Sequence, residues 1–152
     1  MPWYITGLCE GEACFMVSFS LRKKLKLGIE VRPSFSISQH RRNLKIVKLV
    51  RQFFGVGAIR FSKADQNYKY EVRRVSDLMR VIIPHFQRYP LQSFKLRDFE
   101  KFVAVCKLVH KSKHRSRAGL EEIIHLAYQM NPAGKRRYQK GELLRLLGKV
   151  KE

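Results

Sequence analysis

The sequence predicts an α+β fold in which a short helix precedes two strands, a second helix precedes two more, and further helices complete the chain. Three observations carry this reading: apolar and polar residues alternate strictly in four stretches, apolar positions recur three and four apart in the segments around them, and two glycines lie four apart near the start.

The first helix runs from about Trp3 to Gly11, with Pro2 suited to its first turn. Gly7 and Gly11 share one face and leave a strip bare of side chains. Each interior glycine costs about 1 kcal/mol of helix stability relative to alanine, so close approach of another backbone, most simply a helix, has to offset the loss. Phe15, Val17, Phe19 and Leu21 then alternate with Met16, Ser18, Ser20 and Arg22, the pattern of a half-buried strand. The basic turn Lys23-Lys24-Leu25-Lys26 leads into a second strand, with Leu27, Ile29, Val31, Phe35 and Ile37 on one side and Glu30, Arg32, Ser34, Ser36 and Ser38 on the other. Pro33 should place that strand at an edge or a bulge.

Leu44, Val47, Val50 and Phe54 mark an amphipathic helix from about Asn43 to Phe54, which Gly55-Val56-Gly57 ends. A second hairpin joins residues 58–62 to 67–72, with Ile59, Phe61, Tyr68, Tyr70 and Val72 facing the core. Residues 75–86 read as a helix interrupted near Pro84, and Tyr89-Pro90-Leu91 as a turn. Phe99, Phe102, Val103, Cys106 and Val109 place a helix over 97–111. A basic linker, 111–117, precedes a helix over about 118–130, which Asn131-Pro132-Ala133-Gly134 breaks; a basic tail and a last short helix, 141–150, follow. The opening motif occurs once, and no internal repeat is visible.

At 152 residues, 45% of them hydrophobic, the chain fits a single domain, 1–152, with its core over about 3–110 and a helical C-terminal portion over 111–152. Lys and Arg number 32 against 12 acids, a formal charge of +20. That excess exceeds what solubility needs and points to a polyanionic partner. Nucleic acid fits better than a membrane surface, because no stretch reaches the roughly 18 apolar residues of a spanning helix and no strongly amphipathic basic terminus is present. Residues 1–15 lack the pattern of a secretory leader, and Cys9, Cys14 and Cys106 make neither a disulfide framework nor a zinc site. The expectation is an intracellular protein with reduced thiols, in a prokaryotic cytoplasm or an organelle.

Glu10 and Glu12 flank the second of the two glycines, in a first 60 residues that hold one other acid, Glu30, and eleven Lys and Arg. A carboxylate at a helix C-terminus faces the unfavourable end of the helix dipole, and a divalent cation is a better partner for it than a surface lysine. The stretch Ile5-Thr6-Gly7-Leu8-Cys9-Glu10-Gly11-Glu12-Ala13 resembles the signature of the LAGLIDADG homing endonucleases, DNA-cutting enzymes usually encoded within introns or inteins. The match keeps the first Gly, the following Leu, two acidic positions two apart and the small residue between them. It departs in having Glu for Asp at both acids, and Ala13 where the pattern ends in Gly.

The resemblance implies an αββαββα fold whose four-stranded, saddle-shaped antiparallel sheet lies across DNA, with helices on its other face and, in this chain, additional C-terminal helices. Glu12 matches the family's metal-binding acid, with the Gly11 carbonyl as a second ligand, and the implied cofactor is Mg²⁺, as two or more ions at a dimer axis. With one motif, an active enzyme has to be a homodimer, with Tyr4, Gly7, Leu8 and Gly11 at the interface and two Glu12 side chains brought together across the twofold axis. Two adjacent carboxylates repel unless cations lie beside them, so the metal solves a problem that dimerisation creates. Gln39 resembles the polar residue that organises solvent near the scissile phosphate, and Lys95 the lysine that contacts solvent or phosphate. A strand-end amide and a solvated lysine are the plainer alternatives. Glu10 is read as structural.

Base contacts are expected from the outward strand face, namely Ser18, Ser20, Arg22, Arg32, Ser34, Ser36, Ser38, Arg60, Ser62, Asn67, Lys69 and Arg73. Lys24 and Arg41, with their basic neighbours, are expected to clamp phosphates, and His40 to contact a phosphate or base at a strand end. The leading function is a metal-dependent, site-specific endonuclease that cuts both strands of a long, near-palindromic DNA site. The runner-up is an RNA-binding intron-splicing maturase of the same fold without cleavage activity. A basic ribosomal or architectural protein would explain the charge but not two glycines followed by Glu12.

Overall fold

The computed structural model describes residues 1–132 and 134–151. Helix α1 (Pro2–Glu12) runs directly into β1 (Ala13–Leu21), which a turn connects to β2 (Ile29–His40). A 3-10 turn at Arg41–Asn43 opens α2 (Leu44–Phe54), followed by β3 (Ala58–Ser62) and β4 (Asn67–Val72). Then come α3 (Val75–Asp77), a π-helical turn at Leu78–Ile82, α4 (Ile83–Arg88), α5 (Lys95–His110), α6 (Arg117–Ala127) and α7 (Lys140–Gly148). The strands form one sheet in the order β1-β2-β4-β3. Antiparallel pairing sets Phe35 opposite Val72 and His40 opposite Asn67 between β2 and β4, and Ala58 opposite Glu71 between β3 and β4. The predicted α+β order is therefore the observed one. Ala133, part of the expected helix breaker, lies outside the described residues.

The chain divides into two compact units, Met1–Phe15 with Ser34–Leu96, and Met16–Pro33 with Arg97–Glu152. In the first, alternation buries Phe15, Phe35, Ile37, Tyr70 and Val72 on one sheet face, where Val47, Val50 and Phe54 of α2 and Phe86 of α4 complete the core. Phe35 sits at its centre, with ring centroids 5.3 Å from Phe15, 5.8 Å from Phe54 and 5.7 Å from Phe86. α2 ends as expected, at Gly55 in the left-handed conformation (φ +73°).

The second unit packs Phe99, Phe102, Val105 and Cys106 of α5 with Leu120, Ile123 and Ile124 of α6 and Leu143 and Leu147 of α7. The Ser116 hydroxyl accepts from the Gly119 amide (3.1 Å) and caps α6. Gly119 is required there, since a Cβ would lie 2.0 Å from the Lys113 carbonyl. The Arg136 guanidinium donates to the Val17 carbonyl (2.8 Å) and to that of Ala127 and lies over the Tyr128 ring.

Five local expectations change, the first being Phe61, assigned to the core face but 41% exposed on the short strand β3. Leu21, assigned to the buried face, is 46% exposed because β1 ends there. Pro33 lies inside β2, an inner strand, but pairing with β4 begins at Phe35, so its missing N–H interrupts no bond to β4. Pro84 does not break the helix: the π-helical turn before it widens the backbone ladder, and Pro84 falls in the first turn of α4, where no N–H is needed. Val105 rather than Val109 is buried on α5.

Candidate functional site

The two faces of α1 have opposite environments. Inward, Ile5, Thr6 and Cys9 are buried, and the Thr6 hydroxyl donates to the Tyr89 carbonyl (2.9 Å) and lies 3.1 Å from His85 Nε2. With its one proton committed to Tyr89, the hydroxyl accepts from the imidazole, which assigns the Nε2–H tautomer to His85. Burial pushes the His85 pKa down to about 4, so the ring is neutral among Phe53, Phe54 and Phe86. Outward, Trp3 and Tyr4 are 57% and 50% exposed, and a Cβ added at Gly7 or Gly11 would meet nothing within 4 Å. The glycine strip is thus uncovered by its own chain.

At the C-terminal end of α1, the Glu10 carboxylate accepts from the backbone amides of Gln92 and Ser93. Partial burial pushes its pKa up, but these bonds and the Ser93 hydroxyl outweigh that and hold it below the usual carboxylate range. Lys95 Nζ donates to the Cys9 carbonyl (3.0 Å) and to that of Ala13. A protein cation therefore already sits on the last-turn carbonyls, where the dipole is negative. That finding weakens the helix-dipole argument for a metal. A structural observation stands in its place: Glu12 is exposed and makes no hydrogen bond or ion pair with any described residue. Every other acid before residue 97 is held, Glu10 by amides, Glu30 by Arg22 and Arg32, Asp65 by the Asn67 amide, Glu71 by three cations and Asp77 by Arg80.

A bare carboxylate beside a last-turn carbonyl is a pair of hard oxygen donors, which suits Mg²⁺ or Ca²⁺ rather than zinc. Among the described residues no group of three or more His, Cys, Asp or Glu gathers in the chain. Gln39 Oε1 accepts from Asn43 Nδ2 (3.0 Å), and no hydrogen bond joins it to Glu12 or Lys95 among the described residues. His40 Nδ1 accepts from the Arg42 amide (3.3 Å) and caps the 3-10 turn, which leaves Nε2 as its donor.

On the outward strand face of the first unit, Ser38, Arg60, Ser62, Lys69 and Arg73 are exposed, with Arg60 and Ser38 on either side of Lys69. Asn67 is half-buried between Ser62 and His40, and Arg41 is exposed just beyond. Ser34 and Ser36 are only 7% and 8% exposed, because short hydroxyls lie below longer neighbours. Glu71, opposite Ser36, is 7% exposed and bonds Arg60 (3.0 Å), Lys69 (3.0 Å) and Arg73 (2.5 Å). In the second unit, the Ser18 hydroxyl donates to the Arg32 carbonyl (3.3 Å), Glu30 binds both Arg22 (2.7 Å) and Arg32 (2.8 Å), and Ser20 is half-buried while Lys24 is exposed. Sequence reasoning assigned no role to Glu30 and Glu71 on this face; the signal was there, since each acid falls at outward strand parity between cations.

The family model described as LAGLIDADG endonuclease matches residues 5–106. The chain belongs to the LAGLIDADG endonuclease family. It is 32% identical over 131 residues to probable intron-encoded endonuclease 3 of Neurospora crassa, covering 86% of this chain and 24% of that protein. It is 26% identical over 147 residues to homing endonuclease I-ApeII of Aeropyrum pernix, covering 95% and 86%. The crystal structure of the homing endonuclease I-TnaI superposes with a TM-score of 0.85 at 30% identity, covering 99% of this chain and 98% of that one. I-SmaMI bound to cleaved DNA superposes with a TM-score of 0.88 at 28% identity, but this chain covers only 48% of it. The chain thus spans between a quarter and a half of the curated relatives it first matches, 24% and 47%, and nearly all of I-TnaI. The LAGLIDADG motif occupies the end of α1, and the four antiparallel strands with their helices are the fold these relatives share.

Proposed function

We propose that the chain is a site-specific double-strand DNA endonuclease that works as two copies paired along α1, with divalent metal held at Glu12. The observation that carries this reading is Glu12, the one acid before residue 97 with no partner among the described residues, at the end of a helix whose glycine edge is uncovered. Pairing through Tyr4, Gly7, Leu8 and Gly11 offsets the helix cost of both glycines and brings two Glu12 carboxylates together. Mg²⁺, when bound, neutralises their repulsion, activates water and offsets charge on the leaving oxygen. Lys95 holds the helix terminus that carries Glu12 and Gly11, so it is a positioning residue; Glu10 fixes the same terminus to residues 92–93. Gln39, at the end of β2, is assigned to order solvent near the phosphate.

The similarity to the homing endonuclease I-TnaI over 98% of that chain supports endonuclease activity in a chain of this length, and the single motif is the argument for a homodimer on a near-palindromic site. I-SmaMI, about twice as long in its matched chain, was bound to uncleaved DNA in the presence of calcium ions, which supports DNA as substrate and a hard cation at the site. The outward strand face carries Ser, Arg, Lys and Asn and no Phe, Tyr or Trp, which favours a duplex over the stacked single strands of a splicing role. The test is incubation with Mg²⁺ and a randomised duplex library, followed by sequencing of cut ends. Site-specific cleavage by the parent and none by Glu12→Gln supports the proposal; equal cutting by the variant refutes the metal assignment.

A further inference from the structure

Glu71 is an acid in a surface that has to meet DNA, at the strand parity of its base-reading residues. On general grounds it is unfavourable there twice, since it is nearly buried and repels phosphate. What surrounds it is three cations, Arg60 from β3 and Lys69 and Arg73 from β4 and its end, all bonded to its two carboxylate oxygens and each largely exposed, at 61%, 48% and 43% of the side chain. Desolvation pushes its pKa up, but Lys69 and Arg73 outweigh it and hold the carboxyl below the usual range. The three cations therefore share one anion while much of each side chain stays open to solvent.

We propose that Glu71 is a specificity-determining positioning residue: it ties down Arg60, Lys69 and Arg73, so that they address base edges from fixed positions instead of spreading onto the nearest phosphates. An arginine reads guanine through two donors in a set plane, and a long side chain left free satisfies its charge on any backbone oxygen, which adds affinity without choice. Glu71 thus subtracts non-specific affinity and adds discrimination. Glu30, which binds both Arg22 and Arg32, repeats the arrangement in the other unit. This inference rests on the DNA-binding reading above.

The test compares the parent, Glu71→Gln and a charge control, Asp77→Asn, whose acid lines the same hollow beside β3 and β4 but bonds Arg80 and none of Arg60, Lys69 and Arg73. Each binds a 30-base-pair mixed-sequence duplex across a salt series and is then carried through selection from the randomised library. Glu71→Gln keeps the size and one acceptor oxygen, and thermal unfolding checks that it folds. The expected result is mixed-sequence binding three- to tenfold tighter at low salt, a log–log salt slope steeper by about 0.9 for each additional phosphate neutralised, and lower information content in the selected site. Asp77→Asn should leave slope and selected site as in the parent. An unchanged slope and selected site in Glu71→Gln, an equal change in Asp77→Asn, or a Glu71→Gln that does not fold overturns the proposal. If the parent itself binds no duplex, the DNA reading fails instead.

Discussion

Replacing Gly7 with alanine separates what the chain needs alone from what it needs in a pair. In the isolated chain a Cβ at this position meets nothing within 4 Å, so the substitution carries no steric penalty. It removes a glycine from a helix interior, a gain of about 0.8–1.0 kcal/mol in propensity, which for a domain of this size raises Tm by about 2–4 °C. The paired state should respond in the opposite sense. Two helices meeting along bare glycine edges approach more closely than any side chain permits, and a methyl on each, doubled by symmetry, forces them apart. A loss of at least about 1.4 kcal/mol, a tenfold weaker association, is expected. Thermal unfolding monitored by circular dichroism at a concentration where the parent is monomeric reads the first quantity, and sedimentation velocity over a concentration series reads the second. A lower Tm, or an association constant identical to the parent's, would refute the reasoning that an external backbone is what the glycines accommodate.

Other outcomes follow from the same geometry. Glu12→Gln should change stability by less than about 0.5 kcal/mol, since the side chain has no partner among the described residues of its own chain, while duplex binding persists and cleavage of a selected site falls at least a hundredfold in a gel assay. Lys95→Met takes the cation off the Cys9 and Ala13 carbonyls and should cost about 1 kcal/mol, read by chemical denaturation, with a larger fractional loss in cleavage than in binding. His85 has a folded pKa of about 4 against an ordinary value near 6.5, so the unfolded chain binds the extra proton between those values. Stability is then full above about pH 6.5 and falls as the pH drops toward 4, by about 3 kcal/mol from this group, and denaturation midpoints of His85→Phe should lose that part of the slope. EDTA should abolish cutting and leave duplex binding measurable by anisotropy, with activity restored by Mg²⁺.

Much of this was legible from periodicity. Four alternating stretches gave four strands because one sheet face is packed and the other is not, and the bare edge of α1 followed from two glycines at helical spacing. The failures share a cause: local pattern does not report what lies beside a residue from a distant part of the chain. Ser34 and Ser36 have outward parity yet little exposure, because inner strands flank them with longer side chains. The cap that His40 Nδ1 makes on the next turn, and the reach of Lys95 back 82 residues to the Ala13 carbonyl, are likewise contacts that no local spacing announces. Pro84 suggested a break because the π-helical turn that absorbs it leaves no mark in hydrophobic spacing.

Glu10 and Glu12, two residues apart, differ in what their loss would do. Removing Glu10 would unfasten the helix from residues 92–93, whereas removing Glu12 breaks no bond among the described residues of the chain. On the proposed function, a single change at Glu12 would silence cleavage while leaving the architecture and the duplex-binding surface intact, so inert forms that still occupy their sites are the expected product of drift at this position.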